Sequence, residues 1–165
     1  MARPVNKIEF RPTEPADVLA AMATIADARD GWINLLPGVD PDDVPPRPTG
    51  LSAVLAPRTP GAVMATWAPQ AMTRRGLQGA TVGLLHPAGR FAARQLASLG
   101  VPVPQGWMIR QDNPRRGLIV IARVDAPNDE VLDWVIAAGE ALATLASTGF
   151  WRADIYLPKM TPGAT

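Results

Sequence analysis

The chain has 165 residues, 47% of them hydrophobic and 19% charged, with a net charge of +1, 18 prolines and 14 glycines. That length fits one globular domain spanning residues 1–165, with loops stiffened by proline. There is no cysteine and only one histidine, His86. Disulfides, thiolate metal sites, cysteine nucleophiles and a multi-histidine metal cage within one chain are therefore excluded. The first ten residues carry Arg3, Lys7 and Glu9 and lack an apolar targeting core. No apolar run approaches the ~20 residues needed to span a bilayer. The expectation is a soluble cytoplasmic protein with no membrane contact, no metal and no cofactor.

A first helix is expected from about Pro15 to Arg29, capped by Thr13 and stopped by Gly31. Val18, Leu19, Met22, Ile25 and Ala26 make its apolar face. A strand follows at Trp32 to Leu36. Residues 37–49 read as a loop, because prolines stand at 37, 41, 45, 46 and 48. Leu51 to Ala56 and Ala62 to Trp67 read as two strands joined through Pro57 to Gly61. Pro69 to Gly79 reads as a polar connector, and Thr81 to His86 as another strand.

A second helix is expected from Pro87 to Leu99, with Phe91, Ala92, Leu96 and Leu99 on one side and Gly100 as its stop. Val101 to Pro104 is extended. Trp107 to Gln111 and Leu118 to Arg123 form a hairpin around Asp112 to Gly117. The third helix is capped by Asn128, has Asp129 and Glu130 in its first turn, and runs on an apolar stripe from Val131 to Leu145. Gly149 is expected to end it, and Trp151 to Leu157 forms a last strand.

Sequential hairpins imply an α+β fold: an antiparallel sheet of about six or more strands with three main helices. An internal echo suggests duplication of an α-β-β unit. Pro15-Ala16, Gly31-Trp32 and Gly50-Leu51 parallel Pro87-Ala88, Gly106-Trp107 and Gly117-Leu118. Over residues 14–147 the order of elements resembles the small chaperones of type III secretion: helix, three strands, helix, two strands, helix. The resemblance rests on element order alone. The strands at 81–86 and 151–157 and the lack of an acidic balance depart from it.

Charge is unevenly spread. Residues 1–50 sum to −3, residues 51–125 to +7 and residues 126–165 to −3. Such asymmetry marks either an anion site in the middle or acidic and basic segments that meet across the fold or a dimer interface. Nucleic acid is disfavoured, because its binding domains are strongly basic as a whole. His86 is the one side chain suited to proton transfer near neutral pH. It precedes a helix start, which would keep the ring neutral. No serine lies in a nucleophile-elbow motif. Arg74-Arg75-Gly76-Leu77-Gln78-Gly79 is similar to the acyl-CoA loop of acetyltransferases, but Leu77 stands where glycine is needed and a strand follows instead of a helix.

The candidate ligand-binding residues are thus Arg74, Arg75, His86, Arg110, Arg115 and Arg116, with forked guanidinium donors for phosphate or carboxylate. The plainer role for Arg110, Arg115 and Arg116 is to protect a hairpin and a sheet edge. Trp32, Trp67, Trp107, Trp134 and Trp151 serve core and rim packing, or an interface. With no catalytic constellation, the sequence points to a non-catalytic protein-binding domain, an adaptor, chaperone-like or assembly partner. The alternative is a small-anion-binding domain or enzyme that uses the Arg-rich centre and His86. Apolar residues on both faces of the 106–123 hairpin suggest a homodimer.

Overall fold

In chain order the elements are β1 (Asn6–Phe10), α1 (Ala16–Ala28), β2 (Trp32–Val39), a 3-10 turn (Pro41–Asp43), β3 (Met64–Ala68), β4 (Ala71–Thr73), β5 (Gly76–Gln78), β6 (Thr81–Leu85), α2 (Ala92–Ser98), β7 (Met108–Asn113), β8 (Gly117–Ile121), α3 (Asn128–Leu142) and β9 (Ser147–Tyr156). These come from a computed structural model that describes residues 3–46 and 61–157. Seven strands form one sheet in the order β1-β9-β2-β3-β6-β8-β7. Every neighbouring pair in it is antiparallel. β4 and β5 make a separate two-stranded arm. The fold is the α+β class expected, with an antiparallel sheet and three helices among the described residues.

Alternation along the strands sets the layers, because successive side chains point to opposite faces. Ile33 and Leu35, Ala65 and Trp67, Val82 and Leu84, Leu118 and Val120, and Trp151 and Ala153 are buried in one cluster. Val18, Met22 and Ile25 of α1, Ala92 and Leu96 of α2, and Val131, Leu132, Val135 and Leu142 of α3 join that same cluster. One face of the sheet therefore carries all three helices. On the other face Trp32 stacks on Tyr156 with ring centroids 4.9 Å apart, and Arg152 holds Asp154 at 2.9 Å.

Set aside the β4–β5 arm, and the described elements from α1 to α3 run helix, three strands, helix, two strands, helix, with β6, the strand that departs from the secretion-chaperone order, counted among the three. β1 and β9 extend the sheet beyond β2. The expected strand at 51–56 and its hairpin loop lie outside the described residues, as does Gly50-Leu51 of the internal echo. β3 pairs with β2 and β6.

Several boundaries differ from expectation. α1 has no side-chain cap from Thr13; Pro15 precedes its first residue. It ends at Arg29, whose backbone is left-handed at φ 53°. Gly31 is required for another reason: a Cβ there would lie 2.5 Å from the Tyr156 carbonyl oxygen on the adjoining strand. β2 continues past Leu36 to Val39, because Pro37 sits at a register shift where a missing N–H is tolerated.

The polar connector folds as β4 and β5, with Arg74 and Arg75 at its turn. α2 starts at Ala92 instead of Pro87, because Gly89 and Phe91 both adopt positive φ, which breaks the helical path. α3 begins at Asn128 itself after an extended Pro127, and no side chain caps it. It stops at Leu142, so that residues 147–156 are released for β9. That strand inserts between β1 and β2.

Four tryptophans serve the core. Trp67 and Trp151 are buried to 1% exposure, and Trp107 meets Trp134 edge to face at 5.3 Å. No helix among the described residues is long and apolar enough to cross a membrane.

Candidate functional site

The sheet register divides the candidate residues between two ends. β6 runs from Thr81, opposite Ala68 and Ile121, to Leu84, opposite Leu118. The β4–β5 arm leaves from the Ala68/Thr81 end and carries Arg74 and Arg75 there. His86 follows Leu85 at the opposite end, where the β7–β8 turn carries Arg115 and Arg116. Arg110 lies between them on β7 as the extra residue of a bulge, since Ile109 pairs with Val120 and Gln111 with Ile119. His86, Arg115 and Arg116 thus lie at one end of the sheet, Arg110 stands mid-strand on β7, and Arg74 and Arg75 lie at the other end.

At the His86 end Asp112 is the organising residue. Its two carboxylate oxygens accept the backbone N–H groups of Ala92 and Ala93, at 3.1 and 3.0 Å. A carboxylate is favoured at a helix start, and here it comes from a neighbouring strand. It pins the start of α2 to β7. Asn113 turns the hairpin by accepting from the N–H groups of Arg115 and Arg116, at 2.9 and 3.0 Å.

His86 is neutral for a different reason than its sequence position suggested. α2 begins six residues later, too far for its amide end to act. Burial lowers the imidazole pKa from its ordinary 6.5, and nearby Asp112 opposes that effect more weakly. Neither ring nitrogen reaches solvent or a hydrogen-bond partner among the described residues. A lowered folded pKa means that the unfolded chain takes the proton first as pH falls. Stability should be full above pH 6.5, decline below it, and level off beneath the folded pKa. Thermal melts of wild type and His86→Leu between pH 7.5 and pH 5 test this: the wild type should lose stability relative to the variant as pH drops below 6.5.

β7 is an edge strand of the sheet. Met108 and Ile109 on it are 54% and 48% exposed. α2, packed beside it, exposes Phe91 and Leu99 to 59% and 57%. Sequence periodicity placed both of these on the core face, but only Ala92 and Leu96 of that set are buried. Phe91 is held outward by a left-handed backbone (φ 61°, ψ 47°), a conformation costly for a bulky residue. Arg94 lies over its ring at 5.2 Å. Arg90, Arg94, Arg110, Arg115 and Arg116 on and beside α2 and β7 are exposed, while the one acid on β7, Asp112, is committed to α2. The fold and this edge define a small α+β domain with an open, basic, apolar strand. Protein-family profiles, curated proteins and solved structures give no match to the chain.

Proposed function

We propose that the protein is a cytoplasmic, non-catalytic binding domain that docks an acidic, extended segment of a partner protein along β7, as an adaptor, chaperone or assembly partner would. The observation that carries this reading is the open edge of β7, with Ile109 exposed on the face that carries the helices, Met108 exposed on the other, and Phe91 and Leu99 exposed at the two ends of α2. An added strand gains main-chain hydrogen bonds from the edge, and every second side chain of it faces α2. The five arginines favour acids at the remaining positions and speed encounter with them.

Synthetic peptides of alternating apolar and acidic residues test it, against the same peptides with lysine in place of each acid. Fluorescence anisotropy should show that only the acidic set binds, more weakly as salt rises. Ile109→Lys should reduce that binding about tenfold or more, a loss of ~1.4 kcal/mol or greater. Equal affinity for both sets, or an unaffected Ile109→Lys variant, would overturn the reading. A second copy of the chain is the other occupant that the open edge admits, as the expected homodimer would require. Sedimentation distinguishes them: a dimer dissolved by Ile109→Lys assigns the edge to self-pairing, and a monomer leaves it to a partner.

A further inference from the structure

The three helices pack on one face of the sheet, and the other face carries no helix among the described residues. Alternation and register fix what that second face presents. Met64 stands opposite Leu85 on it, and Thr66 and Ile119 flank Gly83 from the two neighbouring strands. Met108 continues the face on the edge strand, opposite Ile121.

This face does not have the composition of a solvated one. An antiparallel sheet wetted on one side alternates apolar with polar or charged residues. β2, β3, β6 and β8 are consecutive neighbours in the sheet, and none of the four contains a charged residue. β6 reads Thr-Val-Gly-Leu-Leu and β8 reads Gly-Leu-Ile-Val-Ile. Such near-continuous apolar runs belong to strands covered on both sides. The polar groups at its middle are tied to each other, since the Thr66 hydroxyl donates to Asn34 Oδ1 at 2.8 Å.

The relief of the face suits a copy of itself. Nothing lies within 4 Å of the place that a Cβ on Gly83 would take, so the centre is hollow. Leu85 and Met108 stand up beside it, 44% and 54% exposed. Hollow and knobs on one surface are what a two-fold contact requires, because the same patch serves both partners. At the β1–β9 margin Lys7 pairs in register with Asp154 and Glu9 with Arg152, so charges of both signs are present there in equal number. Seven strands at ~4.8 Å and about five residues at ~3.4 Å give a flat footprint of roughly 550 Å² per copy. Two such footprints exceed the roughly 1,000 Å² that a specific interface requires.

We propose that the helix-free face binds a second copy of the chain, so that two sheets pack face to face across a two-fold axis as a sandwich. Leu85 and Met108 fill relief in the facing sheet, and the apolar rows of β6 and β8 gain their second cover. The contact leaves the β7 edge open and does not rest on peptide docking there.

Sedimentation velocity of the full chain across the micromolar range tests this. The wild type should run at twice the mass of one chain. Gly83→Arg puts a charge into the hollow, and it meets neither a positive φ nor a neighbouring atom, so the fold is kept. It should weaken the dimer about tenfold or more. Leu85→Arg, at an exposed position, is the second variant if Gly83→Arg does not fold, and circular dichroism checks both. Ile109→Lys, on the helix-bearing side of β7, should leave the dimer intact, which separates this contact from self-pairing at the edge. A wild type that stays monomeric into the millimolar range overturns the proposal. So does a dimer that the folded Gly83→Arg or Leu85→Arg variant leaves unchanged, and so does one that Ile109→Lys dissolves.

Discussion

Gly117→Ala should cost about 2–5 kcal/mol of folding stability, from a positive-φ penalty of ~1–2 and overpacking of ~1–3. Gly117 starts β8 at φ +84°, and a Cβ there would stand 2.2 Å from the Leu84 carbonyl oxygen and 3.0 Å from its carbon. The obstacle is backbone, so no rotamer change removes it. Leu84 pairs with Leu118, and that ladder is what joins the β7–β8 hairpin to the rest of the sheet. Retreat of either strand would loosen the edge on which partner docking depends. Gly100 is the control: its φ is +80°, but nothing lies within 4 Å of its Cβ position. Gly100→Ala should therefore cost only the backbone penalty, ~1–2 kcal/mol. Urea unfolding of both variants measures the difference. Equal losses would mean that β6 and β8 approach less closely at this turn.

The elements that local pattern could reveal were those closed by their own chemistry. β6, the β7–β8 hairpin and α3 carry their periodicity and turn residues within their own spans. Asn113 illustrates this, because the residue that suggested a turn also bonds it. What local pattern missed depends on distant chain. Nothing in Ser147 to Tyr156 shows that β9 will insert between β1 and β2. Nothing around Ala92 shows that its N–H groups will be met by Asp112, twenty residues on.

The candidate site was half legible for the same reason. Arg110, Arg115 and Arg116 belong to one hairpin and stay together, while Arg74 and Arg75 join them only in a sum of charges. Register places them at the other end of the sheet. Phe91 and Leu99 fit a helical apolar face by spacing, but the left-handed turn at Phe91 removes the first from that face. Trp67 and Arg29 are 38 positions apart in sequence and come to line one cleft only in the fold.

The same dependence on distant chain makes Trp151 the most sensitive side chain in the core. Trp151→Ala should cost about 3–5 kcal/mol, the usual range for removing a fully buried large aromatic. Trp151 is 1% exposed in β9, opposite Phe10 of β1 and Pro37 of β2. Its ring reaches under α3, where a Cβ on Gly139 would lie 2.7 Å from its Cη2 atom. Its indole N–H donates to the Glu140 carboxylate at 3.4 Å. One side chain thus ties two strand pairs to the longest described helix. Trp32 is the comparison, because it is half-buried and stacks only on Tyr156 at the sheet's other face. Trp32→Ala should cost about 1 kcal/mol, near the stacking increment.

A coupled test isolates the contact. Gly139→Ala alone should destabilise by ~1–3 kcal/mol through overpacking. Combined with Trp151→Phe, which shortens the ring, it should cost clearly less than the two single losses together, since residues in contact are not additive. Strict additivity would show that α3 does not rest on Trp151. A Trp151→Ala loss no larger than that of Trp32→Ala would place β9 outside the core.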